Sequence, residues 1–321
     1  MNNKVLGIAV WGIGEHAQRN ILPAINESKK IQLIGITTRN ELVRKDVVSK
    51  WDCMSWDDPD DMLNDTNIDI VYIATPVAFH YEQCVKVLEA GKHLWCEKLL
   101  TSTLAQTESL IKLSEARQLA LCEALMYQYH PQFESVKEIL KSNEIGEIKS
   151  INARFGFPHL STDNYRYDLE SGGGALTDAG VYPLSAALCL TQEYPVNIVS
   201  NIEEYGNYGI DDFGIALLKF PSKLSIVAEW CFGCSYRNEI IIWGEEGLVI
   251  VERAFSKPAT FESKIIIQKS NGKTIETKIQ PSNHFVSMFD AFCNAISNEH
   301  ERCRIRDISN AQARLINEIR K

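Results

Sequence analysis

Three side chains of this sequence could act together in proton transfer: Lys98, Asp178 and Tyr182. Asp178 and Tyr182 are four residues apart and follow three glycines at 172–174, so a helix from Ala175 onward would place the carboxylate and the phenol on one face. The glycines would let the backbone approach a ligand and leave the first amides of the helix free to bind it. The alternative is a flexible loop followed by a core helix in which Tyr182 is simply buried.

Lys98 closes a predicted strand together with Glu97, and both residues are predicted to contact a cofactor. A lysine at a strand end is usually only solvated. Beside a bound ligand, however, it could polarise a carbonyl and lower the pKa of a neighbouring acid. A phenol, with an ordinary pKa of about 10, needs such help to exchange a proton at neutral pH. Lys98 and Tyr182 are therefore the predicted catalytic pair, and Asp178 is predicted to orient the phenol or a substrate hydroxyl.

A second glycine motif, Gly12-Ile13-Gly14-Glu15-His16-Ala17, follows the first predicted strand and leads into a predicted helix over residues 18–26. Gly12 suits a tight turn, Gly14 lets the backbone approach a pyrophosphate, and Ala17 keeps helix and strand close. Because the motif lies inside a β-α-β unit, it favours dinucleotide binding over an ordinary turn. The predicted contacts include Ile13, Glu15 and His16.

The residues after the second predicted strand indicate which dinucleotide binds. An NAD site usually has a carboxylate there, whereas this chain has Thr37, Thr38 and Arg39. Two hydroxyls and a guanidinium can bind a 2′-phosphate through charge-assisted hydrogen bonds. The sequence therefore predicts NADP(H) rather than NAD(H); the alternative is a solvated arginine.

Further candidates follow later strands or join the two halves of the chain. Ala74, Thr75 and Pro76 end a strand on the predicted cofactor side, and His80 is a cofactor candidate that could equally pack at the next helix start. Candidate substrate contacts are Tyr182 itself and Tyr127, Asn164 and Arg166, of which Arg166 suits an anionic group. For Tyr127 and for His130, core packing is at least as good an interpretation.

The order of the apolar segments predicts two domains. Val- and Ile-rich runs at 5–11, 31–37, 68–75, 93–96 and 119–126 alternate with helical patterns, which is typical of a doubly wound parallel sheet of Rossmann type. From residue 148 the chain has long strand-like segments at 148–157, 196–204, 213–220, 224–232, 239–252 and 264–278, the last split by a hairpin at Asn271-Gly272. We expect an α/β domain over 1–126 and an α+β domain with a large open, mostly antiparallel sheet over 127–321, whose last helix could pack back on the first domain.

Composition excludes several classes of protein. A net charge of −9, with 33 basic against 42 acidic residues and no basic run, argues against nucleic-acid or anionic-membrane partners. Nine scattered cysteines are typical of reduced thiols in the cytoplasm, and Cys231 and Cys234, on a predicted strand that would separate them, are interpreted as neither a metal nor a redox pair. No apolar run approaches about 18 residues, and the start lacks a signal-peptide core.

Taken together, these motifs resemble the Gfo/Idh/MocA oxidoreductase family, which implies a Rossmann domain, an open-sheet domain, hydride transfer to or from a carbohydrate-like group, and a homodimer or homotetramer. The segments 123–127, 130–132, 164–166 and 178–183 are most similar to the branch of dihydrodiol dehydrogenases, NADP-linked aldose dehydrogenases and nucleotide-sugar 3-ketoreductases. The resemblance implies a catalytic lysine at Lys98 and an acid/base at Tyr182. One departure is Leu99, where the family has proline.

The predicted function is an NADP(H)-dependent reductase of a keto group on a sugar or nucleotide sugar. The first alternative is an NADP-dependent aldose or dihydrodiol dehydrogenase, because the same residues could work in the opposite direction. The second is a regulator that binds a dinucleotide without catalysis, since fold alone does not imply an activity.

Overall fold

The computed structural model describes residues 5–321 and divides into two compact units. The first comprises the chain up to Ala124 together with Phe285–Asn310, and the second comprises Leu125–His284 and Ala311–Lys321. The predicted boundary after residue 126, and the cofactor and substrate roles assigned on either side of it, stay predictions. Residues 1–4, part of the segment considered above for a signal peptide, lie outside the described residues.

The first unit contains a six-stranded parallel sheet in the order β3-β2-β1-β4-β5-β6. Its strands are β1 (Leu6–Trp11), β2 (Ile31–Thr37), β3 (Met54–Trp56), β4 (Ile70–Ile73), β5 (His93–Cys96) and β6 (Leu121–Glu123). The helices between them are α1 (Leu22–Glu27), α2 (Glu41–Trp51), α3 (Pro59–Asn64), α4 (His80–Glu89) and α5 (Leu104–Ala116). The predicted doubly wound sheet is confirmed, although the short strand β3 was missed.

Burial explains why these apolar runs form central strands. Val71, Tyr72 and Ile73 of β4 and Ile8 and Ala9 of β1 are fully buried, as both faces of a parallel sheet require. The strand order reverses between β1 and β4, and in such sheets ligands bind outside the carboxyl ends of the strands at that point. The glycine turn after β1 therefore lies where a dinucleotide is expected.

The second unit contains an eight-stranded sheet in the order β14-β13-β12-β11-β7-β10-β9-β8. Its elements are α6 (Pro131–Lys141), β7 (Ile148–Phe157), α7 (Val181–Thr191), β8 (Asn197–Glu203), β9 (Phe213–Lys219), β10 (Ser225–Phe232), β11 (Arg237–Gly244), β12 (Gly247–Glu252), β13 (Ser263–Lys269) and β14 (Thr274–Ile279). Only β7 and β10 pair in parallel among these strands, so the predicted open, mostly antiparallel sheet is confirmed.

Two predictions about this sheet were wrong. The single strand expected over 239–252 is two strands, β11 and β12, because the chain turns between Gly244 and Gly247. Cys231 and Cys234 are joined by a disulfide, because β10 ends at Phe232 and Gly233, with φ of +83°, turns the chain and brings the second sulfur back to the first. The hairpin at Asn271-Gly272 is confirmed.

The two faces of this sheet differ. Helix α7 covers the face that carries Ile151, Ala153 and Phe155 of β7. The opposite face, called the outer face below, has an in-register row across successive strands formed by Val199, Leu217, Val227, Asn152, Ile241, Ile250 and Ile266. Val199 and Leu217 are 60% and 46% exposed, so this row forms an apolar surface.

Two helices follow the sheet, α8 (His284–Ser297) and α9 (Glu299–Ile319). The rings of Phe289 and Phe292 on α8 lie 4.7 and 4.5 Å from the buried indole of Trp95 on β5 and complete the core of the first unit. Within residues 5–321 no helix is long and apolar enough to cross a lipid bilayer.

Candidate active site

The glycine turn after β1 has one filled and one open position. Gly12 has φ of +96° and donates its amide hydrogen to the carbonyl of Thr37, at 2.9 Å. A Cβ on Gly12 would lie 2.7 Å from the methyl group of Thr75, so this glycine lets the ends of β1 and β4 pack closely. A Cβ on Gly14 would meet no atom within 4 Å. Gly14 therefore borders open space at the start of a helix, as a phosphate site needs.

The helix after this turn begins with a π-helical segment, Ala17–Ile21, before α1. Such segments are rare in proteins but are often found at functional sites, and no sequence pattern predicted this one. Nε2 of His16, just before the segment, lies 2.9 Å from Oε1 of Glu97, and the same carboxylate oxygen accepts the hydroxyl hydrogen of Tyr72. His16 and Glu97 were each predicted to contact the cofactor; the structure pairs them with each other.

Two carboxylates, the half-buried Glu97 and the buried Glu123, flank the Lys98 loop and have opposite pKa shifts. Burial raises the pKa of Glu97, but the charge of His16, the hydrogen bonds from His16 and Tyr72, and the charge of Lys98 together bring it down to about 2. Burial raises the pKa of Glu123 to about 7, although its Oε1 accepts the Leu100 amide hydrogen at 3.0 Å and Lys98 lowers the value. The Lys98 loop thus lies beside one carboxylate that stays ionised at neutral pH and one whose pKa is near neutrality.

His80 connects the loops after β4 and β5. Its Nδ1 lies 2.8 Å from the carbonyl oxygen of Leu99 and its Nε2 lies 2.8 Å from that of Thr75. The side chain is 1% exposed, and this burial lowers its pKa. The structure therefore favours the packing alternative, in which His80 holds the Thr75 loop to the Lys98 loop. The Lys98-Leu99 peptide bond is cis.

The residues after β2 separate into buried and exposed groups. Thr37 is 2% exposed, while Thr38 is half-buried and Arg39 is exposed. The guanidinium of Arg39 lies 5.4 Å from the ring of Phe79, which sequence reasoning missed because Phe79 is forty residues away. Stacking on an aromatic ring leaves the edge of a guanidinium available to an anion. Among the described residues, no carboxylate lies within ion-pair distance of Arg39.

The second glycine turn differs from its predicted role. The amide hydrogen of Gly174 goes to the carbonyl of Arg166 at 3.0 Å, and Leu176 donates its own to Oδ2 of Asp211 at 2.6 Å. A Cβ on Gly173 would lie 2.4 Å from the Arg166 oxygen, and one on Gly174 would lie 2.3 Å from Oδ1 of Asp211. The expectation that these amides are free for a ligand was wrong, because Asp211 already caps this helix start.

Arg166 binds Asp178. Its Nε donates to Oδ2 of Asp178 at 2.6 Å, and its Nη1 donates to Oδ1 of Asn164 at 3.3 Å. Burial alone lowers the pKa of Arg166, but the charge of Asp178 and their hydrogen bond raise it well above its usual value. The predicted substrate arginine is therefore committed, at Nε, to fixing the carboxylate that precedes Tyr182. Asn164 supports that arginine.

Tyr182 is the second residue of α7, and a π-helical segment, Leu176–Gly180, lies between the glycine turn and α7. Its phenol is 6% exposed, and its ring lies 5.1 Å from Phe155 and 5.8 Å from Phe255. The ring of Tyr127, 6.0 Å away, is completely buried, and its hydroxyl lies 2.6 Å from Ser185 Oγ. Tyr127 therefore packs behind Tyr182, as the packing alternative stated. His130, 1% exposed, is likewise buried.

Comparison with family models places both halves of the chain. Residues 6–125 match the model of the Gfo/Idh/MocA oxidoreductase family with an NAD-binding Rossmann fold, and residues 133–250 match the Gfo/Idh/MocA C-terminal domain. These two matches lie on the two sheets described above. The family predicted from the motifs is confirmed.

Individual proteins similar to this chain agree with the family assignment. The chain is 32% identical, over 83% of its length and 80% of the relative's, to dTDP-3,4-didehydro-2,6-dideoxy-alpha-D-glucose 3-reductase of Saccharopolyspora spinosa. It is 25% identical, over 91% of its length and 88% of the relative's, to a D-xylose 1-dehydrogenase (NADP(+)) of Haloferax volcanii. Its fold superposes with a TM-score of 0.93 and 27% identity, over 99% of this chain and 97% of the other, on KijD10, a 3-ketoreductase from Actinomadura kijaniata crystallised with NADP and TDP-benzene.

Proposed function

Because the chain belongs to the Gfo/Idh/MocA oxidoreductase family, we propose that it is an NADPH-dependent reductase that acts on a keto group of a nucleotide-linked sugar. The observation that carries the proposal is that the chain has both Lys98, beside β5 of the family's Rossmann domain, and Tyr182, on α7, together with 32% identity to a dTDP-sugar 3-reductase. A regulator without catalysis would not need either side chain.

The residues of the first unit fit the cofactor. Gly14 leaves open space at the helix start for a pyrophosphate, and Thr38 with the stacked Arg39 suits a 2′-phosphate. Ile13, Glu15 and the loop at 74–76 border the same turn. Bound NADPH supplies the hydride that reduces the substrate carbonyl.

The proton has a separate source in the protein. Tyr182 donates its phenolic proton to the substrate oxygen as negative charge develops there. Lys98 stabilises that charge electrostatically and favours the phenolate that remains. Asp178, fixed by Arg166, orients the phenol or a substrate hydroxyl. Tyr127, Phe155 and Phe255 hold the ring of Tyr182 in place by packing.

A second candidate is oxidation of a free aldose with NADP+. It is favoured by the similarity to an NADP-dependent D-xylose 1-dehydrogenase, and the same side chains serve it with Tyr182 accepting a proton. The two candidates differ in what the site must hold, because a nucleotide sugar requires partners for a diphosphate and a free aldose does not.

The test measures NADPH oxidation by the purified protein with a dTDP-linked 3-keto sugar, and NADP+ reduction with free aldoses. We expect turnover in the first assay, and expect Tyr182→Phe to lower kcat by about 10²- to 10⁴-fold, the usual contribution of a positioned acid. Loss of turnover in Lys98→Met would support the same roles. Full activity of both variants would refute them.

The matched control is Tyr127→Phe. It removes a hydroxyl from an equally buried tyrosine in the same aromatic cluster, so it reports the effect of packing and of the Ser185 hydrogen bond alone. We expect it to retain kcat within about threefold while it loses about 1 kcal/mol of stability. If both tyrosine variants lost activity equally, the loss would reflect damage to the cluster and not a missing proton donor.

We also propose that the outer face pairs two copies of the chain. It combines the apolar row with the ion pair of Arg154 and Glu229, and Trp243 beside the row is 63% exposed. A contiguous apolar surface of this kind is typical of a protein interface. Sedimentation analysis should therefore show a homodimer or a larger homo-oligomer that Trp243→Asp weakens, and a wild-type monomer at micromolar concentration would refute the pairing.

A further inference from the structure

Arg166, the arginine expected to bind an anionic group, is committed to Asp178, so a nucleotide sugar needs another cation for its diphosphate. The inference drawn from this rests on the proposed nucleotide-sugar substrate. Arg253 follows the last residue of β12 and has φ of +51°, a backbone region that non-glycine residues rarely adopt. Such residues are concentrated at functional sites.

Arg253 is exposed and held by aromatic groups. Its guanidinium lies 4.5 Å from the ring of Tyr236 and 5.9 Å from that of Phe261, and its Nη1 donates to the hydroxyl of Tyr236 at 3.0 Å. Over residues 5–321, no carboxylate lies within ion-pair distance of this guanidinium. Its hydrogen bond to Tyr236 goes to a neutral hydroxyl, so among these residues no carboxylate competes with an external anion for Arg253.

The arginine and the tyrosine are positioned by a buried side chain. Asn238 is 4% exposed, and its Nδ2 donates to the hydroxyl of Tyr236 at 2.9 Å and to the carbonyl of Ser256 at 2.8 Å. Its Oδ1 accepts the amide hydrogen of Phe255 at 2.7 Å. Because the Tyr236 hydroxyl accepts from both Asn238 and Arg253, its own hydrogen remains available to an external acceptor.

This pair is connected to Tyr182 through shared neighbours, since Asn238 bonds Tyr236 and Phe255 follows Arg253 by two residues. Asn238 is directly opposite Phe155 in the β7–β11 pairing, and Phe155 packs against Tyr182. Phe255, two residues beyond Arg253, also packs against Tyr182. Two residues span at most about 7 Å of backbone. The Cα atom of Arg253 therefore lies within about 7 Å of that of Phe255, whose ring packs against Tyr182.

We propose that Arg253 and Tyr236 bind the diphosphate of the nucleoside diphosphate sugar whose keto group is reduced at Tyr182. A guanidinium stacked on a ring presents its edge to phosphate oxygens in a bidentate manner, and the tyrosine hydroxyl adds a third donor. The ring of Phe261 lies 5.9 Å from the same guanidinium. This site binds the diphosphate group of the substrate and takes no part in proton transfer.

The experiment measures binding of dTDP and of thymidine to the full-length protein loaded with NADP+, by calorimetry. In Arg253→Gln we expect the dissociation constant for dTDP to rise about 10- to 100-fold, since hydrogen bonds to charged groups contribute about 1.5–3 kcal/mol. Thymidine binding should change less than about twofold. Arg253→Lys should fall between the wild type and Arg253→Gln, because an ammonium is a point charge without the bidentate edge.

The matched control is Arg314→Gln. Arg314 is also exposed and stacked on a tyrosine, with its guanidinium 4.7 Å from Tyr194, but the hydroxyl of that tyrosine donates to the carboxylate of Glu318. Its loss should leave dTDP binding unchanged. An equal loss in both variants would overturn the inference, because a general loss of positive charge would then explain the effect.

Two further outcomes separate this inference from the proposed function. If the wild type binds dTDP and reduces the keto sugar while Arg253→Gln binds dTDP as tightly, the site assignment is wrong and the proposed reaction stands. If the wild type reduces no nucleotide-linked sugar and does not bind dTDP, both are wrong. An increase in KM for the nucleotide sugar with kcat retained in Arg253→Gln would support the site.

Discussion

The two glycine turns of this chain, at residues 12–14 and 172–174, have similar sequences but different surroundings. Each turn leads into a π-helical segment, Ala17–Ile21 in one unit and Leu176–Gly180 in the other. At the first turn, a Cβ on Gly14 would meet nothing. At the second turn, a Cβ on Gly174 would collide with Asp211. The first turn leaves room for a ligand, and the second is filled by the protein.

The carboxylate beside each turn explains the difference. Glu97 binds side chains, His16 and Tyr72, and leaves the amides of the helix start to a ligand. Asp211 binds an amide of the helix start itself, through Leu176. A helix N-terminus attracts an anion; the first turn leaves open space beside its helix start, whereas the second is occupied by the protein's own carboxylate. A glycine pattern therefore indicates that another group comes close to the backbone, but it does not indicate whether that group is a ligand or a side chain of the protein.

The largest expected effect is on Gly174. Gly174→Ala would place a Cβ at φ of +122° and 2.3 Å from Asp211 Oδ1, so we expect a loss of about 2–5 kcal/mol of unfolding free energy from backbone strain and steric overlap. Chemical denaturation measures it. Gly14→Ala should leave stability unchanged within about 1 kcal/mol and weaken NADPH binding at least about tenfold, since its Cβ would occupy the ligand space.

Reversed results would contradict this view of the turns. If Gly174→Ala were as stable as the wild type but lost substrate affinity, the second turn would be a ligand-binding site. If Gly14→Ala bound NADPH normally, the open space at the first turn would not belong to the cofactor. Binding titrations and denaturation curves on both variants decide the matter.

Periodicity was enough to predict most of the fold. Strands β2, β5 and β7 begin and end at the predicted residues, because β2 and β5 are largely apolar runs and β7 alternates between buried and partly exposed residues. Strand β3 is three residues long and largely exposed, so it has no periodic pattern to find. The turn between β11 and β12 was missed because two glutamates form its centre, although Gly244 and Gly247 flank it.

The site was harder to predict because its partners are distant in sequence. Lys98, Asp178 and Tyr182 stand in local motifs, so the sequence alone names them as candidates, and their catalytic roles stay predictions. Two carboxylates near these motifs come from other elements and carry no local signal: Asp211, which accepts the Leu176 amide hydrogen, and Glu123, whose pKa burial raises and Lys98 partly lowers. Arg166 could be identified as functional, but its commitment to Asp178 depends on a fold that brings the two side chains together. Local motifs thus indicate candidate residues, but they do not indicate which side chains those residues bind in the folded protein.

The carboxylates at the two turns should affect the stability of the protein at acidic pH in opposite ways. The pKa of Glu97 is depressed from 4.5 to about 2, so its stabilising contribution is present above pH 4.5 and is lost as the pH falls toward 2. At pH 5 we expect Glu97→Gln to be less stable than the wild type by about 2–3 kcal/mol, with the difference shrinking at lower pH. Denaturation midpoints between pH 2 and 6 measure it.

Asp211 should show the opposite sign. Burial raises its pKa above 3.8, so the folded state retains the proton more readily than the unfolded state, and the wild type loses stability relative to Asp211→Asn as the pH rises through that range. The asparagine can still accept the Leu176 amide hydrogen. Parallel pH profiles for the two variants would mean that the carboxylates play the same part at both turns.

The smallest expected effect is on cofactor choice at the first turn. Arg39→Ala should weaken NADPH binding about 10-fold, because one charge-assisted contact to the 2′-phosphate contributes about 1.5 kcal/mol at an exposed site, and should change NADH binding less than about twofold. Phe79→Ala, which removes the ring beneath the guanidinium, should produce a smaller loss in the same direction. Fluorescence titrations with both cofactors measure the ratio. Equal binding of NADH and NADPH by the wild type would mean that Arg39 is only a solvated side chain, and the first turn would then accept a dinucleotide without selecting its phosphate.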